Sequence, residues 1–237
     1  MEEIKPLFEF FIGGLKVDIS IPIIEQWIVM AVIIVAVILL TRKLEVIPKG
    51  KQVWVETLVD KINGLVKNMM GTGYANFAPY IGTIMIFLVL LNLFGLTGFK
   101  PPTAEYSVAL GLAITSFLVI QGTALKRNGL RHYIKGMEGP MPALMPLLLP
   151  LNIMERLTMP LSLSLRLFGN MFAASIIMEL LYKGLIYISG ILPIKIPILA
   201  AIIPIPLHIY FDMFDGIIQM FIFVMLTMVN IKITVEE

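Results

Sequence analysis

The feature that most constrains this chain is a series of apolar runs, each long enough to cross a lipid bilayer. The run from Ile21 to Leu40 is almost purely aliphatic. About 20 such residues in a helix match the hydrocarbon thickness of a membrane. Comparable runs cover about Phe77–Leu96, Tyr106–Leu125, Met145–Gly190 and Leu207–Ile233. The chain is 58% hydrophobic and 14% charged, whereas soluble domains carry about 25% charged residues. The expected fold class is an all-α polytopic membrane protein with five spans, embedded in the lipid bilayer.

The chain is read as one membrane domain, 1–237, with a first span over 21–41, a second over 77–96 and a third over 106–125. Between the first two, residues 48–72 set Val53, Val55, Leu58, Val59, Ile62, Leu65 and Val66 among Lys51, Glu56, Asp60, Lys61 and Lys67, a mixture suited to an amphipathic surface helix. Pro101 and Pro102 place a non-helical turn between the second and third spans. Residues 142–190 are too many for one upright span and must be steeply tilted, kinked or divided, with Pro160 as a place to bend; they are read as a long tilted helix. Pro193, Pro197, Pro204 and Pro206 mark a broken connection to a final helix over 207–233.

Lysine and arginine concentrate in loops 41–72 and 126–140, the latter holding Lys126, Arg127, Arg131, His132 and Lys135, whereas the intervening loop has only Lys100. Positive loops stay inside, so the N-terminus is expected outside and, after five crossings, the C-terminus in the cytoplasm; counting the tilted region as two crossings would reverse the C-terminal side. The acidic start, with Glu2, Glu3, Glu9 and Asp18, lacks the basic region of a secretory leader, so the first run is expected to be a retained span. The absence of cysteine excludes thiolate metal sites and thiol nucleophiles. The net charge of +2 is too small to suggest nucleic acid, and no Gly-rich phosphate loop is present to bind a nucleotide directly. No cofactor or metal is expected.

Ionisable side chains inside a span cost a few kcal/mol at least and by default mark an ion path. Here they gather in the last hundred residues; in the first three spans Asn92 is the clearest polar residue. Glu155, Met159, Ser162, Arg166, Asn170 and Ala173 recur at steps of three or four and share one helix stripe. Ser175 and Glu179 form a second stripe roughly opposite Arg166. On the final helix His208, Asp212, Asp215 and Gln219 share a face that must meet water, another polar stripe or a partner. Arg166 keeps its proton and cannot relay one, but it can attract a carboxylate and repel free cations. Acidic side chains supply the complementary ability to exchange protons.

Each residue also has a plainer reading. Arg166 can pair with a carboxylate on a neighbouring helix, and Arg156 and Glu155 can snorkel to the interface. Lys183, one turn beyond Glu179, can simply pair with it. His208, just after Pro206, reads as a surface histidine. Asn92 serves equally as helix–helix glue or as channel lining. The sixteen methionines are core filler.

The segment Pro160-Leu-Ser-Leu-Ser-Leu-Arg166-Leu-Phe-Gly-Asn170-Met resembles the signature of subunit a of the F-type ATP synthase, the stator subunit facing the rotating c-ring. The likeness extends to Gln219-Met-Phe-Ile-Phe-Val-Met-Leu-Thr, to Asn92-Leu-Phe-Gly-Leu and to Pro48-Lys-Gly-Lys-Gln, in the same order along most of the chain. The resemblance implies a bacterial plasma-membrane protein working with the c-ring and the peripheral-stalk b subunits, conducting H+ or Na+ without being an enzyme itself. Arg166 matches the essential stator arginine, Asn170 and Gln219 the polar positions beside it, and Glu155 an acidic position near the cytoplasmic half-channel. A common bacterial pattern has glutamate nine residues after the arginine and histidine seven before the glutamine. This chain has Ser175 and Asp212 there, so the acid is read as moved to the final helix, with Glu179 and Asp215 in support. That departure leaves sodium open, since carboxylates and hydroxyls suit a hard cation. The rivals are a secondary transporter, which would show internal repeats that this chain lacks, and a self-sufficient channel with Arg166 as its filter.

Overall fold

The computed structural model describes residues 8–12, 15–42, 44–138, 145–191 and 202–236. Pro140, Pro142, Pro193 and Pro197, where turns are expected from the sequence, lie outside the described residues. Among the described residues, five helices are long and apolar enough to cross a membrane, and the fold is an all-α polytopic membrane protein. One small addition precedes the first span. Strand β1 (Phe8–Ile12) pairs antiparallel with β2 (Leu15–Ile19), Phe8 opposite Ile19 and Ile12 opposite Leu15. Both are short runs of aromatic and branched residues, which favour strands.

Helix α1 (Ile21–Thr41) starts one residue after β2, with Pro22 in its first turn, where no amide donor is needed. Val29 is its one buried residue, so nearly all of its surface is open to lipid or partners. Helix α2 (Lys51–Met70) buries Ile62, Val66 and Met70 and leaves its charged face exposed. A 3-10 turn at Thr72–Phe77 leads into α3 (Ala78–Leu93), and two further 3-10 turns, Phe94–Thr97 and Pro102–Ala104, make the proline-containing connection.

Helix α4 (Tyr106–Glu138) corrects one expectation: the basic segment after residue 125 is helical, not a loop. A break occurs at Gly129, whose φ of 75° and ψ of 160° are non-helical and available to glycine without steric penalty. Helix α5 (Met145–Ile191) is one element of 47 residues with Pro150 and Pro160 inside it. At 1.5 Å per residue it is about 70 Å long, over twice the hydrocarbon thickness. Helix α6 (Pro204–Glu236) begins with Pro204 and Pro206, which open the helix rather than break the chain. Its segment Ile209–Asp215 is π-helical, and regular α-helix resumes at Gly216.

The core lies between α3, α4, α5 and α6. Ile81, Leu88, Ala113, Leu167 and Val224 are fully buried within it. Helix α4 offers Ala109, Ala113, Ser116 and Ala124, small side chains that let neighbouring backbones approach, as membrane helices require. Tyr80 donates from its hydroxyl to Ser116 Oγ at 3.2 Å across this seam.

The contacts define two ends. At one, Asn128 Nδ2 donates to the Val235 carbonyl (2.8 Å), while Arg127 donates to the Gly73 carbonyl and lies over the Tyr74 ring. This end gathers α4 just before its break at Gly129, the turn that follows α2 and the end of α6. At the other end Lys100 meets Glu179 at 3.6 Å, and the start of α6 meets α5.

Candidate functional site

Helix α5 has two unlike faces. Leu163, Ser164, Leu167, Met171, Ala174 and Met178 are buried against the bundle. Glu155, Ser162, Arg166, Asn170 and Ala173, from the stripe predicted by helical spacing, are exposed, and Met159 is half-buried. Arg166 therefore points away from the packed core, and its guanidinium has no hydrogen-bond or ion-pair partner among the described residues. Eleven residues separate it from Glu155 and thirteen from Glu179, or about 16 and 20 Å along the helix axis. Glu155 belongs to the basic end, since Arg156 beside it donates to Gln121 Oε1 of α4 at 3.3 Å. Arg156 is thus tied into the bundle rather than snorkelling freely. Glu179 belongs to the opposite end.

Asn170 reaches from the edge of the exposed face to α6, donating from Nδ2 to Gln219 Oε1 at 2.7 Å. Gln219 is buried, and its Nε2 lacks a hydrogen-bond partner among the described residues. A buried donor left open costs about 1–3 kcal/mol, the kind of defect retained where a site has work to do. One turn of α6 toward its start, Asp215 is half-buried.

The π-helical segment carries Asp212, which is buried although it is ionisable. Its Oδ2 lies 2.5 Å from His208 Nδ1, and His208 Nε2 lies 3.1 Å from the Tyr182 hydroxyl of α5. His208 is therefore not a plain surface histidine but the centre of a three-residue chain. Its i,i+4 spacing to Asp212 was visible in the sequence; Tyr182, twenty-six residues away, carried no signal. Gly95 presses on the same carboxylate: a Cβ there would lie 2.7 Å from Asp212 Cγ and Oδ1. Only glycine leaves the acid this room.

The remaining positions take simpler roles. Asn92 is fully buried, donates to the Gly216 carbonyl at 2.8 Å and accepts from Thr103 Oγ1 at 2.8 Å. Both ends of its amide are engaged, which makes it glue at the junction where the π-helical segment ends. Glu179 is exposed and bridged to Lys183 at 2.8 Å and to Lys100. Ser175 bonds back to the Phe172 carbonyl in its own helix. The structure thus joins Asn170 to Gln219 and Asp212 to His208, and keeps Glu155, Glu179 and Ser175 apart from both pairs. No group of three or more metal-ligating acids or histidines occurs among the described residues.

Comparison with known proteins agrees with the architecture. The chain is similar to the sodium ion specific ATP synthase subunit a of Propionigenium modestum, with 34% identity over 98% of this chain and 80% of that one. It is similar to subunit a of Moorella thermoacetica at 32% identity and to subunit a 2 of Syntrophotalea carbinolica at 34%, each covering 98% of this chain and 97% of the relative. The family model described as ATP synthase A chain matches residues 23–232. With that match over most of its length, the chain belongs to the ATP synthase A chain family, the non-catalytic, ion-translocating membrane subunit of the Fo sector.

Proposed function

We propose that this subunit provides two offset aqueous half-channels that load and unload the carboxylates of a rotating c-ring, coupling ion flow to rotation and ATP synthesis. An ion enters from outside past Glu179, Asp212 and Asp215 and neutralises a ring carboxylate. The ring turns, and the ion leaves toward the cytoplasm near Glu155. The N-terminus is outside and the C-terminus cytoplasmic, and peripheral-stalk b subunits hold the assembly still. Exposed Val46, Ile47 and Trp54, before and at the start of α2, support a protein contact there.

The observation that carries this reading is Arg166, exposed and unpaired among the described residues, midway along α5 between acids at opposite ends of the molecule. A guanidinium about 4 Å from an ionised ring carboxylate attracts it by about 4 kcal/mol at an effective dielectric of about 20. The same charge opposes a free cation by a similar amount, roughly a thousandfold in population. One fixed charge thus draws the emptied ring acid across and blocks a leak between the routes. The test is Arg166→Ala in the whole complex. Coupled ATP synthesis is expected to vanish, and vesicles that still make ATP with this variant refute the assignment.

A second reading makes Na+ the coupling ion, because the Propionigenium modestum relative is described as sodium ion specific. ATP synthesis in proteoliposomes with and without sodium decides it: sodium dependence that persists when an uncoupler removes the proton gradient assigns Na+.

A further inference from the structure

We propose that His208 is a proton relay on the entry route, carrying protons from the Tyr182 hydroxyl at the rim to the buried Asp212 carboxylate. The inference rests on the half-channel reading above and adds what that reading lacks, a path into a closed acid.

Exposure falls stepwise along the chain of contacts. Tyr182 is 37% exposed, the His208 side chain 24% and the Asp212 side chain 8%. The Gly95 backbone covers another side of the carboxylate, close enough that a Cβ would overlap it. Among the described residues, the polar side chain that bonds to Asp212 is the imidazole. Its two nitrogens face different neighbours, Nδ1 the acid and Nε2 the hydroxyl. Imidazole can take a proton at one nitrogen and release one at the other, and a tyrosine hydroxyl can donate and accept at once. The other charged groups nearby do not compete: Glu179 is held by Lys183 and Lys100 on the exposed side of α5, and Asp215 is one turn deeper on α6.

The transfer balances. A hydronium ion in the entry water gives a proton to the Tyr182 oxygen, leaving water, as the hydroxyl proton passes to His208 Nε2. The Nδ1 proton then moves to Asp212 Oδ2, so one proton has entered and the ring is left protonated at Nε2. Once Asp212 passes its proton on, a turn of the ring exposes Nδ1 to entry water. Nδ1 takes a proton from that water and Nε2 returns its own to the same water, so the reset moves no net proton, and the turn back restores the starting form.

The experiment measures passive proton flux through the whole complex in proteoliposomes, with co-purification of the rotor ring reporting assembly. His208→Gln keeps an amide that can bond to Asp212 but cannot relay a proton, so flux should fall about 10²-fold, within the range for proton-transfer groups. His208→Ala should fall as far and recover several-fold in millimolar imidazole, which a merely structural histidine would not permit. Tyr182→Phe, an exposed position, should lower flux several-fold. Wild-type flux in an assembled His208→Gln complex overturns the relay. If that variant does not assemble, failure of imidazole to restore flux to His208→Ala overturns it instead. ATP synthesis driven by a sodium gradient alone in the wild-type complex also overturns it, yet leaves the stator reading intact. That reading is tested separately by Arg166→Ala.

Discussion

Gly95→Ala tests whether the position of the Asp212 carboxylate matters, using one methyl group. The added Cβ would lie 2.7 Å from Asp212 Cγ and Oδ1 and 3.0 Å from Oδ2. Carbon atoms rest about 3.5 Å apart at closest favourable contact, so the carboxylate must retreat by roughly 0.8 Å. A short buried side chain has little room for this, and retreat strains its bond to His208. Overpacking of this kind costs about 1–3 kcal/mol, too little to prevent assembly of a large complex. Ion flow is more sensitive, since a displacement near 1 Å at a reacting group can cost about 100-fold. Gly111→Ala is the control: it makes the same change at a glycine where a Cβ meets nothing within 4 Å. Proton flux and rotor co-purification are measured on both. Gly95→Ala should assemble and conduct about 10- to 100-fold less, while Gly111→Ala should match wild type. Wild-type flux in Gly95→Ala would show that the carboxylate tolerates displacement and that its close seating has no functional weight.

Other substitutions separate structural from conducting roles. Asn92→Ala removes two buried hydrogen bonds and leaves the Gly216 carbonyl and Thr103 hydroxyl without them; a loss of about 2–4 kcal/mol is expected, read as a lower unfolding temperature of the purified subunit or complex. Asn128→Ala cuts the tie to the Val235 carbonyl and should lower stability by about 1 kcal/mol with ion flux unchanged, checked in the same two assays. Glu155→Gln keeps shape but removes charge at an exposed position, so assembly should be normal while flux falls several-fold if the exit route passes there.

Hydropathy made the five spans legible because each is a continuous property of about 20 neighbouring residues. Helical counting made the faces of α5 legible for a similar reason: Leu163, Leu167, Met171, Ala174 and Met178 fall on one side, Arg166 and Asn170 on the other, and the structure buries only the first set. The same counting is weaker on α6. A π-helical segment shifts the register inside Ile209–Asp215, a change that no 100° template registers. Proline misled in one place, since Pro204 and Pro206 open a helix instead of interrupting the chain. Hydropathy also hid the helical nature of the basic segment after residue 125, where charge reads as loop. Asn92 shows a different limit. An amide in an apolar helix is equally suited to lining and to glue, and only Thr103 and Gly216, one near in sequence and one far, decide between them.

The distribution of satisfied and unsatisfied groups then separates what the chain completes alone from what it leaves to a neighbour. On the packed side, Asn92 has both partners, Asp212 has His208, and Asn170 is joined to Gln219. These bonds lie within the bundle, with Gln219 Nε2 beside them left open among the described residues. On the open side of α5 the balance reverses: Arg166 is a permanent cation on a face that also exposes Leu161, Leu165 and Ile177, and no described residue neutralises it. A charge in such surroundings costs several kcal/mol if lipid covers it. Burial against a permanent anion would remove that cost but would also lock the two surfaces together. A neighbour whose acids are charged only in passing meets both demands, lowering the cost while the pair lasts and releasing it when the acid is neutralised. On the function proposed above, the open face of α5 is half of a sliding contact, and the acids assigned to the half-channels decide when the other half carries charge.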